Sequence, residues 1–448
     1  MSDDPFRRDL SATLAAIEGM LGELPSDVAK QIRHKLKDIR ELLVERRAPR
    51  FVLVGRRGSG KSSLVNALYG ERVAEVGHVK AQTGAPRWFT YDRAEGELDF
   101  LDTRGFQEAH HPEEADEAAT ALESILLELE KKSPDAVLFL VKASEVGAAI
   151  DADLHETETL LERLRRKHGV ELPLVCVITQ CDLLEPKDVT LHAPDGQDER
   201  DLQEKRERVK RVERLVEDQI RQRPGLSDHF VTAIGISAYQ SWRDDGSRRS
   251  DQRWRVEELV AFLFERLPQQ ARMELVRVAR VQHLQRKMAK SLTTLVASMC
   301  AGLAATPIPM GDIGPLTSLQ VALVVAIGYV GGRDPSPATA REFLGAIGVN
   351  VGIGFAFRET ARALVKFIFP GAGNLVSASV AFAGTWAVGS AAIAYFIDGV
   401  SVEEARRRWR MAGETKPDDE HLLDAGAEPA QIPEKMPSSP SGGEGAEP

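Results

Sequence analysis

Residues 55–63 read GRRGSGKSS. The stretch satisfies G-x-x-x-x-G-K-[ST] in full. The spacing suits a loop whose backbone N–H groups turn inward toward phosphate oxygens, with glycines for the dihedrals and the close approach. Lys61 reaches the β- and γ-phosphates as a point charge, and the Ser62 hydroxyl ligates magnesium. An apolar run, FVLV (51–54), reads as a strand before the loop, and KSSLVNALY (61–69) reads as a helix after it. That helix adds its positive end to the phosphate site. Gly55, Arg56, Arg57, Gly58, Ser59, Gly60, Lys61, Ser62 and Ser63 are therefore the candidate phosphate-binding residues.

Working outward, short apolar runs alternate with helical patterns from 49 to 268. ELDFLD (97–102), DAVLFLV (135–141), PLVCVIT (173–179) and FVTAIGI (230–236) read as further strands. Helical patterns run from Glu113 to Lys132, Asp153 to Lys167 and Gln203 to Arg223. Such alternation predicts an α/β domain with a mostly parallel sheet covered by helices.

The base is chosen by later residues. LDTRG (101–105) sits at one strand end, TQCD (179–182) at another, and Ser237-Ala238 follows the last strand. Ligands in such sheets bind at the carboxyl ends of the strands. The ordered set resembles the translation-factor-related GTPases, specifically the Era/TrmE-like branch, over about residues 49–268. The resemblance implies a P-loop GTPase fold with six strands, a nucleotide-dependent switch, and hydrolysis of GTP to GDP and phosphate with Mg2+. It implies that Asp102 holds magnesium through water beside Ser62 and Thr83. Lys61, Thr83 and the Gly105 N–H would then act on the γ-phosphate. It implies that Thr179, Gln180 and Asp182 form the guanine reader, with Asp182 accepting from guanine N1 and N2, and that Ser237 and Ala238 cap the guanine oxygen.

Four departures qualify the resemblance. Gln180 stands where the branch has a lysine that packs on the base and braces the loop, so weaker guanine affinity or selectivity is expected. Phe106 follows Gly105 where Ras-type switches carry a water-orienting glutamine, so hydrolysis is expected to be slow without a partner or a dimer. Gly58 stands where potassium-activated members carry asparagine, so potassium activation is not expected. Arg56 and Arg57 lie in the loop itself, either as an arginine finger or as salt-bridged surface residues. His110, His111, Glu113 and Glu114 read as solvated loop residues rather than a metal site. The segment from Asp182 to Gly225 reads as a solvated, salt-bridged helix, or else a partner surface.

The flanks differ from this centre. Leu10, Leu14, Ile17, Leu21, Leu24, Val28, Ile32, Leu36, Ile39 and Leu43 step by threes and fours, one apolar stripe on two helices broken at Pro25. They form either a bundle wall or a dimerising arm. After Pro268 a basic stretch (Arg272, Arg277, Arg280, Arg286, Lys287, Lys290) leads into long uncharged runs. PIPMGD, PGAGN and the glycine-spaced last helix resemble an uncharacterised helical domain fused behind Era-like GTPases in bacteria. Ile313–Gly332 and Asn374–Ile397 hold 20 and 24 uncharged residues, enough to cross a bilayer of about 30 Å. The alternatives are a self-burying bundle and shallow insertion aided by the basic helix. Basic residues return at Arg406, Arg407, Arg408 and Arg410, and the chain from Met411 is predicted disordered.

With 448 residues, 43 % hydrophobic and 28 % charged, the chain is expected to divide into a helical arm (1–48), a GTPase domain (49–268), a hydrophobic helical domain (269–410) and a tail (411–448). Three cysteines and no apolar N-terminal core suit a reducing, cytoplasmic setting. The net charge of −10 argues against a nucleic-acid partner. Expected partners are GTP/GDP, a lipid surface at the cytoplasmic face of the inner membrane, and a second copy. A ribosome-assembly GTPase and a scaffold that barely hydrolyses remain the alternatives.

Overall fold

The computed structural model describes residues 5–23, 26–74, 86–93, 96–103, 121–147, 150–169, 171–192, 195–304, 314–334, 336–349 and 373–414. Six strands form one sheet in the order β2-β3-β1-β4-β5-β6. These are β1 (Arg50–Val54), β2 (Arg87–Arg93), β3 (Gly96–Asp102), β4 (Ala136–Lys142), β5 (Leu174–Thr179) and β6 (Phe230–Gly235). Only β2 runs antiparallel, against β3. All five strands read from the sequence are present. The sixth, RWFTYDR, escaped a pattern search because polar residues interrupt its apolar ones, as suits an edge strand. A small hairpin, β7 (Gln240–Trp242) with β8 (Arg248–Asp251), was also not anticipated.

Residue alternation along the strands sends side chains to opposite faces. Val52, Val54, Val137, Phe139, Cys176 and Ile178 meet apolar residues of α4 (Ala121–Lys131), α5 (Ile150–His168) and α6 (Glu199–Arg221) in one core. Phe51, Leu53, Phe100, Leu138, Val175 and Val177 face the other way, onto α3 (Lys61–Tyr69), the short α7 (Pro224–Ser227) standing apart from this layer, and onto α8 (Val256–Arg266) and α9 (Gln269–Ala279).

The second core does not stop there. It continues into α1 (Pro5–Met20), α2 (Ser26–Ile39), α10 (Gln282–Ala304), α11 (Gly314–Val330), α12 (Pro337–Ile347), α13 (Gly373–Phe396) and α14 (Val402–Glu414). The N-terminal stripe is covered within the chain: Leu10, Leu14, Ile17, Ile32 and Ile39 are all buried. It serves as a bundle wall. Seen here, α11 is a core helix, with Leu319 to Gly328 buried throughout. A helix apolar on all sides belongs in such a centre. Among the described residues, one helix, Ala378–Phe396, is long and apolar enough to cross a membrane, and half of it is buried.

Two glycines set the bundle's close contacts. A Cβ on Gly389 of α13 would lie 2.3 Å from the Thr293 side chain of α10, and one on Gly331 would lie 2.7 Å from the Phe396 carbonyl. The basic stretch is largely consumed inside the chain. Arg272 donates to the Leu267 carbonyl at 2.8 Å, Arg286 pairs with Asp398 at 2.7 Å, and Lys287 pairs with Glu265 at 2.5 Å. Arg277 is buried. Residues 411–414 continue α14, and 415–448 lie outside the described residues.

Candidate nucleotide site

β1 is flanked by β3 and β4, so the chain leaves β1 at the point where strand order reverses, where α/β sheets bind ligands. The loop from Gly55 to Gly60 occupies that point. Gly55 has φ 150°, and a Cβ there would lie 2.4 Å from the Leu140 carbonyl oxygen. Gly58 and Gly60 have φ of 77° and 95°, left-handed conformations that favour glycine. Ser59 is buried, and among the described residues its Oγ has no hydrogen-bond partner.

Lys61 opens α3 and folds back over the loop. Its Nζ donates to the Gly55 carbonyl at 2.5 Å and to the Arg56 carbonyl at 3.2 Å. Asp102 arrives beside it because β1 and β3 pair with Leu53 opposite Asp102, and its Oδ1 lies 4.0 Å from Lys61 Nζ. Thr103 follows, tied to the Leu53 carbonyl through Oγ1 at 2.9 Å. Ser62 and Ser63 lie in the first turn of α3. The Ser62 hydroxyl at the start of α3 and the Asp102 carboxylate at the end of β3 are hard oxygen donors, of the kind that fits Mg2+.

The two loop arginines part. Arg56 Nε donates to both Asp153 oxygens, at 3.0 and 2.8 Å, so Arg56 is bound to α5. Arg57 is exposed. Burial raises the Asp153 carboxyl pKa, while Arg56 pulls it down.

The base-reading corner uses its residues in unexpected ways. The Thr179 hydroxyl is buried and donates to the Ser59 carbonyl at 2.7 Å, so it braces the phosphate loop. Gln180, at φ 60°, donates from Nε2 to the Gly58 carbonyl at 3.1 Å. Glutamine thus reproduces the bracing for which the branch uses lysine. Asp182 sits in the tight turn Cys181–Leu183. Ser237 is fixed by paired backbone bonds with Trp254, at 3.1 and 2.9 Å, with Ala238 buried beside it. The two loops are joined by the Cys181 N–H on the Ile236 carbonyl at 3.2 Å. Thr83, Arg104, Gly105, Phe106, His110 and His111 lie outside the described residues.

Sequence reading missed three supporting side chains. Lys205 of α6 is fully buried and donates to the carbonyls of Asp182, Pro186 and Val189 at 2.8, 3.0 and 2.7 Å. Burial pushes its ammonium pKa down, against the pull of Asp182, Asp188 and Glu185. Its signal was present: Leu202, Lys205, Val209, Val216 and Ile220 share one helical stripe, and Lys205 is the cation on it. Glu213 lies on the same stripe and accepts from the Gly235 N–H at 2.7 Å and from Arg255 at 2.5 Å. Asn66 closes the turn after α3 by bonding Val73 N–H, Ala74 N–H and the Ala74 carbonyl at 2.8, 2.7 and 2.9 Å.

Residues 50–180 match the family described as 50S ribosome-binding GTPase. The chain carries a P-loop GTPase domain with a six-stranded sheet. Among solved structures it is similar to Toc33 from Arabidopsis thaliana in complex with Mg2+ and GMPPNP, at 17 % identity and a TM-score of 0.32, over 54 % of this chain and 93 % of that one. It is also similar to an Era variant from Aquifex aeolicus bound to GDP and AlF4−, at 18 % identity and a TM-score of 0.29, over 56 % of this chain and 67 % of that one.

Proposed function

We propose that the chain is a guanine-nucleotide switch that binds and slowly hydrolyses GTP and passes its state to the helical region packed on one sheet face. The observation that carries this is the gathering of Lys61, Asp102, Thr179, Gln180, Asp182 and Ser237 along the carboxyl edge of one sheet. Residues 55–63 cradle the phosphates, and Lys61 moves from its own loop carbonyls to the β- and γ-phosphates. Thr83 and Gly105 complete the γ-phosphate contacts, and Ser62, Thr83 and Asp102 hold Mg2+. Bound there, the ion neutralises charge on the phosphate oxygens. Asp182, Ser237 and Ala238 read guanine.

Output follows from a junction of four elements. Tyr329 of α11 lies between two guanidinium groups, Arg46 at 3.8 Å and Arg277 at 3.9 Å from the ring centroid. Its hydroxyl donates to Glu274 of α9. Arg277 continues to Asp334 at 2.9 Å and to the Tyr329 and Arg333 carbonyls at 3.1 and 3.0 Å. At the start of β3, a Cβ on Gly96 would lie 2.9 Å from Glu274 Oε2. β3 runs from this junction to Asp102, so a shift at the γ-phosphate end has a packed path to the bundle.

The helical domain (269–410) contacts lipid at the cytoplasmic face of the inner membrane. The described stretch of α13 from Ala378 to Ala381 is uncharged and partly exposed, which supports this reading. The test is GTP hydrolysis by the purified chain with and without anionic liposomes, with Lys61→Ala as blank. Lipid-stimulated turnover supports the membrane switch. Lipid-independent turnover removes the membrane from the proposal, and nucleotide binding without turnover leaves a scaffold. The description of the matched family favours a second reading, ribosome assembly, for which co-sedimentation with 50S subunits is the test.

A further inference from the structure

We infer that Lys205 is the positioning residue of the base reader. Its buried ammonium holds the loop that presents Asp182, so base selectivity rests on a cation supplied by α6. The inference rests on the reading of Asp182 as the guanine acceptor.

Position 180 of the reader loop carries no cation. Gln180 braces the phosphate loop through Gly58 but brings no charge. After the turn at Cys181–Leu183 the chain runs to Leu191 without a strand or helix. Such a segment keeps one shape only if its polar groups are bonded. Lys205 supplies those bonds. An ammonium has three donors, and all three are used, on Asp182, Pro186 and Val189. The first of those carbonyls belongs to the acceptor residue itself. The three span the loop from its reading end to its return toward α6. The segment Asp182–Gly225, taken from sequence as solvated or as a partner surface, therefore has a built contact directed at the site.

Packing alone does not account for this residue. Leu202 and Val209, one turn away on either side, are buried apolar neighbours. Another apolar side chain would fill the same stripe without the cost of burying charge. What lysine adds is the fixation of three carbonyls. Without it, Asp182 keeps its place in the sequence but loses the backbone that aims it.

The test compares Lys205→Met, which removes all three donors, with Lys205→Gln, which keeps up to two. Dissociation constants are measured calorimetrically, with Mg2+, for GDP, ADP and inorganic pyrophosphate. Pyrophosphate probes the phosphate cradle without the base. Wild type is expected to prefer GDP over ADP, and Asp182→Ala is expected to abolish that preference. Lys205→Met should lose at least about tenfold of the preference, with Lys205→Gln between, and pyrophosphate affinity should change by less than about twofold. A folded Lys205→Met with wild-type preference overturns the inference and leaves the guanine reading intact. Equal losses for GDP and pyrophosphate also overturn it, because Lys205 would then support the fold alone. A wild type without preference overturns the guanine reading and the inference with it. If neither variant folds, the wild-type chain decides. With 15N-labelled lysine, the Lys205 ammonium signal should shift on GDP and hold still on pyrophosphate, and a signal indifferent to GDP overturns the inference.

Discussion

The two faces of the sheet carry cores of different reach. Among the described residues, the face covered by α4, α5 and α6 is closed by a single layer of helices over the strands. The opposite face, under α3, α8 and α9, opens into the helical bundle, and its core is continuous from Phe51 and Phe100 to Leu14, Leu323 and Val388. The difference matters for a switch. A shift along β1 or β3 meets only its own covering helices on the first face. On the second it meets residues that the N-terminal helices and the bundle also use. The same continuity makes the sheet and bundle one cooperative unit, so unfolding should show a single transition rather than two.

The largest expected effect is at the junction that joins the open face to the bundle. Tyr329→Ala should cost about 4 kcal/mol, from lost aromatic burial and from leaving Glu274 and two guanidinium groups without their shared partner. Chemical denaturation followed by tryptophan fluorescence and by circular dichroism measures it. If the two probes separate into distinct transitions, the open face is not one unit with the bundle. Gly389→Val comes next, at about 3 kcal/mol, because its side chain would overlap Thr293 where α13 crosses α10. Bound GDP should raise the Tm of this variant as it does for wild type, since the site itself is untouched.

Lys61→Ala sharpens the comparison from the opposite direction. The residue belongs to neither core, and its bonds are to carbonyls of its own loop. GTP turnover should fall by about 100-fold or more, equivalent to about 2.7 kcal/mol, while Tm stays within a few degrees of wild type. A large loss of Tm would show that the phosphate loop carries stability for the sheet.

How much of this was legible depends on the distance over which each feature is written. The phosphate loop is written in nine consecutive residues, and α3 begins at Lys61 as its pattern requires. The strands buried on both faces are legible as apolar runs. The edge strand β2 is not, because an edge needs no continuous apolar run. Gln180 was expected to weaken guanine affinity or selectivity, since its identity alone shows a missing charge. Its bond to Gly58 depends on two segments more than a hundred residues apart. Lys205 was hidden by its neighbours, in a helix so rich in charge that one buried cation reads as one more solvated one. The uncharged C-terminal helices were ambiguous for a physical reason. Bundle centre and bilayer ask for the same side chains, and only the packing of α1, α9, α10, α12 and α13 around α11 distinguishes them.

The smallest effect is expected at Arg56, on the closed face. An arginine finger is worth about 10³-fold or more in turnover. Arg56 is instead committed to Asp153, so Arg56→Ala should change GTP turnover by less than about threefold. Its signature is in the pH dependence of stability. Burial already holds the Asp153 carboxyl pKa above 3.8, against the two bonds from Arg56. The folded chain therefore keeps that proton to higher pH than the unfolded chain does. Across that window the native state binds more protons, so stability falls as pH rises. Removing Arg56 removes the opposing pull and carries the folded pKa higher still. The Tm of Arg56→Ala should keep falling with rising pH beyond the point where wild type levels off, and Asp153→Asn in the same background should flatten the curve. A thousandfold loss of turnover with an unchanged pH profile would instead make Arg56 the finger and the bond to Asp153 a resting state that nucleotide breaks.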